Sequence, residues 1–254
     1  MYINNINIFY YLIFGMLGLI TGELLLWCNY RMVDEKKIFS KDILKFKDVK
    51  MDYKYLIIIS NIIVNLLILY KFGIKSSFFA NLDLIKFMIL TPMLISAFFI
   101  DLKHRIIPNR LNMTIFEIGL LFAFLQGINN VNITKDSILG MLIGGGIFLI
   151  ITLLGGIIAG KEAMGLGDVK LMGALGLYFG AASITEISLL AFFLGAIISI
   201  FIIVIRKVIL KIDDEYIAFG PFLTLATLIC ILIPNNTVFY LFMKLCTGIS
   251  NLII

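Results

Sequence analysis

Long apolar runs alternate with short polar segments along nearly the whole chain, and the runs lack the polar face that a surface helix of a soluble protein would carry. A helix needs roughly 17–25 predominantly apolar residues to cross the hydrocarbon core of a bilayer. The pattern predicts spans over residues 8–28, 55–72, 84–100, 113–128, 138–159, 169–183, 184–205 and 217–233. A last apolar piece, 238–254, follows the breaker Pro234–Asn235–Asn236 and fits either a ninth span or a segment lying in the interface. The expected fold class is therefore all-α: a polytopic membrane bundle of about eight transmembrane helices, forming a single domain over 1–254.

Composition narrows the class further. Of 254 residues, 61% are hydrophobic and 15% charged, with a mean hydropathy of +1.06, whereas a soluble domain carries about 25% charged residues. The formal charge of +5 does not point to nucleic acid, because the Lys and Arg residues fall mostly in the short segments between apolar runs, where they report topology. The first run has no basic residue before it and no small-residue cleavage pattern after it, so it is expected to remain as a span. The cysteines, Cys28, Cys230 and Cys246, form no CxxC and no zinc spacing. Free thiols and no metal are expected.

Orientation follows from the excess of Lys and Arg in cytoplasmic loops. The segment 29–54 carries Arg31, Lys36, Lys37, Lys41, Lys45, Lys47, Lys50 and Lys54 and is assigned to the cytoplasm, which puts the amino terminus outside. Alternating the spans then places DLKHRIIPNR, GKEAMGLGD and RKVILKIDDEY in the cytoplasm too, and the less basic GIKSSFFANLD and NNVNITKD opposite. Asp101 and Asp168 share the cytoplasmic side.

Those two carboxylates are the candidate chemistry. Asp101 ends an apolar run and Asp168 follows Gly165–Leu166–Gly167; acids at such depth are costly unless they face a cavity or a partner. Taken singly, each has a bland reading: Asp101 as a helix end at the membrane boundary, Asp168 as an N-cap, with Gly173, Gly176 and Gly180 as small residues for helix packing. The glycines beside Asp168 also permit close approach of another backbone. As a pair, the acids are the minimum equipment of an aspartic protease, one ionised to activate water and one neutral to protonate. Such chemistry needs no metal, serine or histidine; His104, the only histidine, is expected to be a loop residue. The competing reading is an ion-coupled transporter or channel with the carboxylates as ion ligands.

Three stretches carry a resemblance: DLKHRIIPNRLN (101–112), EAMGLGDVKLMGALG (162–176) and FGPFLTLA (219–226). In this order they resemble the type IV prepilin peptidases, a bacterial group within the GxGD class of intramembrane aspartic proteases. The resemblance implies an endopeptidase of the cytoplasmic membrane that removes the short basic leader of prepilins and pseudopilins after a glycine, at the cytoplasmic face. It maps the catalytic pair onto Asp101 and Asp168, with Gly165 and Gly167 shaping the turn before the second, within a core over 84–226. Pro108 and Asn109 match the family's IPN string and turn the chain into the next helix. Lys170 follows Asp168 and either draws that carboxylate toward its ionised state or snorkels to lipid. Gly220 and Pro221 are candidates for contact with the substrate backbone.

Many members also methylate the new amino terminus with S-adenosylmethionine and carry a GSFLNV string followed by Arg. Here GELLLWCNYR retains Gly22, Leu25, Cys28, Tyr30 and Arg31, but Glu23 and Leu26 replace Ser and Asn. This argues against a retained methylase, so no cofactor is expected for proteolysis and S-adenosylmethionine only if methylation persists. The paired zinc-binding CxxC motifs of many members are absent from 29–54. Glu23 either meets a basic leader residue of the substrate or pairs with Arg31. Expected partners are the prepilin-type substrates and the bilayer, with no nucleic acid; the oligomeric state is left open.

Overall fold

The structure is a computed structural model, which describes residues 2–3, 6–33, 53–159, 164–205 and 217–233, and the single positions 207, 240 and 244. Apart from a two-residue antiparallel pair, β1 (Tyr2–Ile3) with β2 (Ile6–Asn7), and a 3-10 turn at Phe79–Asn81, the described elements are α-helices. They are α1 (Ile8–Val33), α2 (Lys54–Phe72), α3 (Leu82–His104), α4 (Asn109–Gly127), α5 (Val131–Ala159), α6 (Leu166–Val204) and α7 (Gly220–Leu232). Five are long and apolar enough to cross a membrane: α1, α2, α3 with its 3-10 turn, α5 and α6. The protein is thus an all-α, multi-pass membrane bundle. The tail 238–254, apart from Tyr240 and Lys244, and most of the basic segment 29–54 lie outside the described residues.

Helices overrun the apolar windows that announce them. Helix α1 continues to Val33 because Asn29 is fully buried and accepts a hydrogen bond from Ser96 of α3, and the Arg31 guanidinium stacks 4.9 Å over the Trp27 ring. Helix α3 runs past Ile100 to His104, so Asp101 sits inside its last turns rather than after them. Helix α6, with 39 residues, would be about 58 Å long if straight, roughly twice the hydrocarbon thickness. It is interrupted at Gly180, whose φ of 76° and ψ of 178° are non-helical. The Asp136 carboxylate accepts the Ala181 N–H there at 3.2 Å and caps the restarted segment. The expected spans 169–183 and 184–205 are the two arms of this broken helix.

Helix α3 is the hub, packing against α1, α2, α4 and α7. Its Leu90, Leu94, Ala97 and Ile100 join Leu111 and Ile115 of α4, Leu171 and Leu175 of α6 and Leu223 and Ala226 of α7 in the main core. At the end of the bundle opposite Asp101, Lys86 is 5% exposed. It pairs with Asp83 at 3.0 Å and donates to the Tyr178 carbonyl at 3.1 Å, while Gln126 donates to Asp83 at 2.8 Å. This cluster ties α3, α4 and α6 together about 22–27 Å along the helix axis from Asp101.

Helices α5 and α6 meet along glycines. A Cβ at Gly140 would stand 2.5 Å from the Gly176 carbonyl oxygen, and one at Gly144 would stand 2.6 Å from the Met172 oxygen and 2.9 Å from Ile184 Cγ1. In lipid, helices associate through such close backbone approach rather than through water exclusion. Gly146, by contrast, has open space around it. Gly140→Ala is therefore expected to lower the thermal midpoint in detergent by several degrees (on the order of 1–3 kcal/mol of overpacking), whereas Gly146→Ala leaves it unchanged. Equal midpoints for the two variants in a thermal-shift measurement would contradict this packing.

Candidate active site

Two helix ends and one connecting turn build the site. Helix α3 terminates one turn beyond Asp101: Arg105 takes the left-handed conformation (φ 57°), and its N–H donates to the Asp101 carbonyl at 2.8 Å. That is an αL helix stop made without glycine, at a cost of about 1 kcal/mol. The chain then passes Ile107 to Pro108, which holds the N-cap position of α4 and accepts the Leu111 and Asn112 amides at 3.0 and 3.2 Å. Asn109 is the first residue of α4.

Asp168 is supplied by the first turn of α6. Gly165, not Asp168, is the N-cap; Asp168 is the third helical residue, its N–H donating to the Gly165 carbonyl at 3.0 Å. The Asp168 carboxylate folds back toward Gly165, where a Cβ would stand 3.6 Å from its Oδ2. An acidic residue at that helical position is placed as in a capping box. Gly165 itself has φ −69° and ψ 138°, open to any residue. Gly167 is the glycine under steric demand, since a Cβ there would lie 3.3 Å from Ile107 Cβ.

The Asp101 carboxylate is held in a parallel way by a third element. Gly220 opens α7 and packs directly against the Asp101 carboxylate. A Cβ at Gly220 would lie 2.5 Å from Asp101 Oδ2, 2.9 Å from its Cγ and 3.1 Å from Ile107 Cδ1. Each aspartate thus lies at the positive end of a helix, where a carboxylate is favoured. Pro221 follows in the first turn of α7, where its missing N–H costs nothing.

Asp101 and Asp168 are 5% and 7% exposed. Both line one cleft of about 1030 Å³ at one end of the bundle, and they are near enough for Asp168 to feel the charge of Asp101. The cleft is also lined by Met32 and Val33 from the end of α1, by Gly165 to Asp168, and by Ile217 to Phe219 ahead of α7. Its rim carries the exposed cations Arg105, Arg110 and Lys170, with Lys170 Nζ donating to Asn109 Oδ1 at 2.8 Å. The volume lies at the upper end of the roughly 300–1,000 Å³ of small-molecule pockets.

The structure therefore brings together Asp101, Asp168, Gly165, Gly167, Pro108, Asn109 and Lys170 along this cleft, with Gly220 packed against Asp101 from behind. Glu23 is not among the cleft-lining residues; it is exposed on α1, about 15 Å before the helix end. His104 is exposed at the end of α3, and Glu162 lies outside the described residues. Ile107, Arg105 and Asn112 have site roles that the sequence reading did not assign. Their signal was present in the spacing, since all three lie within eleven residues of Asp101 in the first motif stretch.

With this geometry in view, comparison with known proteins is informative. Residues 88–200 match the model of the type IV leader peptidase family. Among curated relatives, the chain is 32% identical over 145 residues to a prepilin leader peptidase/N-methyltransferase of Aeromonas hydrophila, covering 57% of this chain and 48% of that relative. It is 34% identical over 138 residues to a type 4 prepilin-like proteins leader peptide-processing enzyme of Escherichia coli, covering 54% and 48%. A prepilin leader peptidase/N-methyltransferase of Legionella pneumophila is 34% identical over 139 residues, covering 54% and 45%. The matched stretch thus spans about half the length of these relatives. No solved structure matches the chain. The region 88–200, which contains both buried aspartates and the turn between them, matches the type IV leader peptidase family.

Proposed function

We propose that this protein is a membrane-embedded aspartic endopeptidase that removes the basic leader of prepilin-type substrates after a glycine, at the cytoplasmic face of the bacterial inner membrane. The observation that carries the reading is the pair of buried carboxylates in one cleft, each packed against the start of a helix. Two carboxyls in mutual electrostatic contact cannot both ionise cheaply, so the pair holds one proton over a window of pH. The ionised member takes a proton from water as that water attacks the scissile carbonyl. The neutral member protonates the carbonyl oxygen; as the tetrahedral intermediate collapses, the leaving amine receives the proton held by its partner and the first member takes back a hydroxyl proton, so that the pair again holds one.

The basic loops and the cationic rim of Arg105, Arg110 and Lys170 support a cytoplasmic placement of the cleft. The placement of both acids at one end of the bundle, within one cleft, favours hydrolysis over ion transport, which draws on sites near the midplane. The peptidase core is taken as 84–226, which encloses the matched region and the start of α7.

Methyl transfer receives less support. In the segment that the resemblance ties to that activity, Leu26 is 4% exposed and packs with Leu25, Ile57 and Ile95 in a separate apolar cluster, where an amide would be needed. Glu23 faces outward on α1. These residues do not fit a site for S-adenosylmethionine. The mature amino terminus of a processed substrate is expected to carry no methyl group by mass spectrometry after incubation with S-adenosylmethionine; a gain of one methyl that requires this protein would reverse the reading.

The decisive test is cleavage of a prepilin-like substrate in liposomes. Asp101→Asn and Asp168→Asn are each expected to slow cleavage by at least ~10²-fold, and parental rates in either would end the aspartic-protease reading. Activity should rise with pH as the first proton leaves the pair and fall as the second leaves, giving a bell; a rate flat across the acid and neutral range would argue against a shared proton. Gly220→Ala, whose new methyl occupies the place of Asp101 Oδ2, is expected to lower the single-turnover rate on the order of 10–100-fold, and an unchanged rate would show that the Gly220 contact is dispensable.

A further inference from the structure

We propose that Asn112 is a positioning residue that sets the separation of Asp101 and Asp168. The inference rests on the reading of those two aspartates as the catalytic pair. They stand on different helices, so no local hydrogen-bond pattern fixes one relative to the other. The segment between Arg105 and Asn112 supplies that link. It begins at the α3 stop below Asp101, where Arg105 N–H bonds the Asp101 carbonyl, and it ends at Asn112 Nδ2, which donates to the Gly167 carbonyl at 3.0 Å. Gly167 is the residue immediately before Asp168.

Two further contacts lie on the same strap. Ile107, 8% exposed, fills the space between Gly167 and Gly220, and so touches the turns that hold both carboxylates. Asn109 accepts from Lys170, but both residues are exposed, and a bond open to water contributes little net energy. The Asn112 bond is different, because the residue is 3% exposed and the bond is part-buried, with less competition from water.

The energetics argue that this amide serves geometry rather than stability. Asn112 Oδ1 is buried and has no partner among the described residues, while Leu111 and Ile115 beside it on α4 are core residues. A buried polar atom left unpaired is costly, so an apolar side chain of similar size would pack here at lower cost. What only the amide supplies is a directed bond to the backbone carrying Asp168. Loss of that bond lets the start of α6 drift from the end of α3, which weakens the electrostatic coupling of the two carboxyls and misaligns them toward the substrate.

The test uses the full-length protein in liposomes, a prepilin-like substrate, and kcat, KM and the pH profile of kcat for Asn112→Leu and Asn112→Ala. Asn65→Leu serves as the comparison, a buried asparagine of α2 that bonds Asn61 away from the cleft. Both Asn112 variants are expected to lower kcat on the order of 10–100-fold, with KM within about twofold. The pH bell should narrow, because coupling is what spreads the two titration steps apart; Asn65→Leu should keep the parental bell. The proposal is overturned if the Asn112 variants keep parental kcat and bell width, if kcat falls with an unchanged bell, or if neither variant folds while Asn65→Leu does. Parental behaviour at Asn112 alongside inactive Asp→Asn variants removes only the positioning role, whereas active Asp→Asn variants remove the dyad itself.

Discussion

Two carboxylates have to be buried at one end of a helix bundle whose sides face hydrocarbon, and the arrangement of the surrounding elements answers that cost. Taking an ion out of water is expensive unless hydrogen bonds and favourable dipoles replace the lost hydration. Here each carboxylate lies against the first backbone units of a helix, Gly165 for Asp168 and Gly220 for Asp101, where the helix dipole favours negative charge. Those backbone units cannot shift far without unwinding a helix. Stabilisation of the charge and placement of the two carboxylates are therefore one structural feature.

This solution imposes close approach on the backbone around it. Gly220 has to be glycine because Asp101 occupies the volume of its Cβ, and Gly167 has to be small because Ile107 lies against it. Arg105 adopts a left-handed turn to end α3 just past Asp101. At the other end of the bundle, the Lys86 and Asp83 cluster ties together the helices that carry the two acids, so that α3 and α6 are tied at both ends. The cleft lies between these fixed points and the end of α1.

Much of this was legible from residue order. Hydropathy locates the crossings, but it marks where hydrocarbon ends and not where helices end. Asp101 consequently looked like a residue just outside a span, although hydrogen bonding carries α3 on to His104. Asp168 read as an N-cap from its place after GLG, whereas the cap is Gly165 and the carboxylate reaches back to it. Glu23 was a candidate because a carboxylate within a span is unusual, yet helical periodicity turns it to the outer face of α1. Asn112 stood in the quoted motif without a role, because its partner is a backbone carbonyl 55 residues away.

Sequence by itself determined that the chain is an all-α membrane bundle, because an apolar run in lipid can satisfy its backbone only within itself. It also marked the two aspartates as the acids to explain, through the motifs they stand in. Tertiary structure decided that these acids share one cleft, that Gly220 rather than a side chain secures Asp101, and that the 105–112 strap joins the two turns. Those outcomes depend on contacts between residues far apart in the chain, and such contacts leave no periodic trace in residue order.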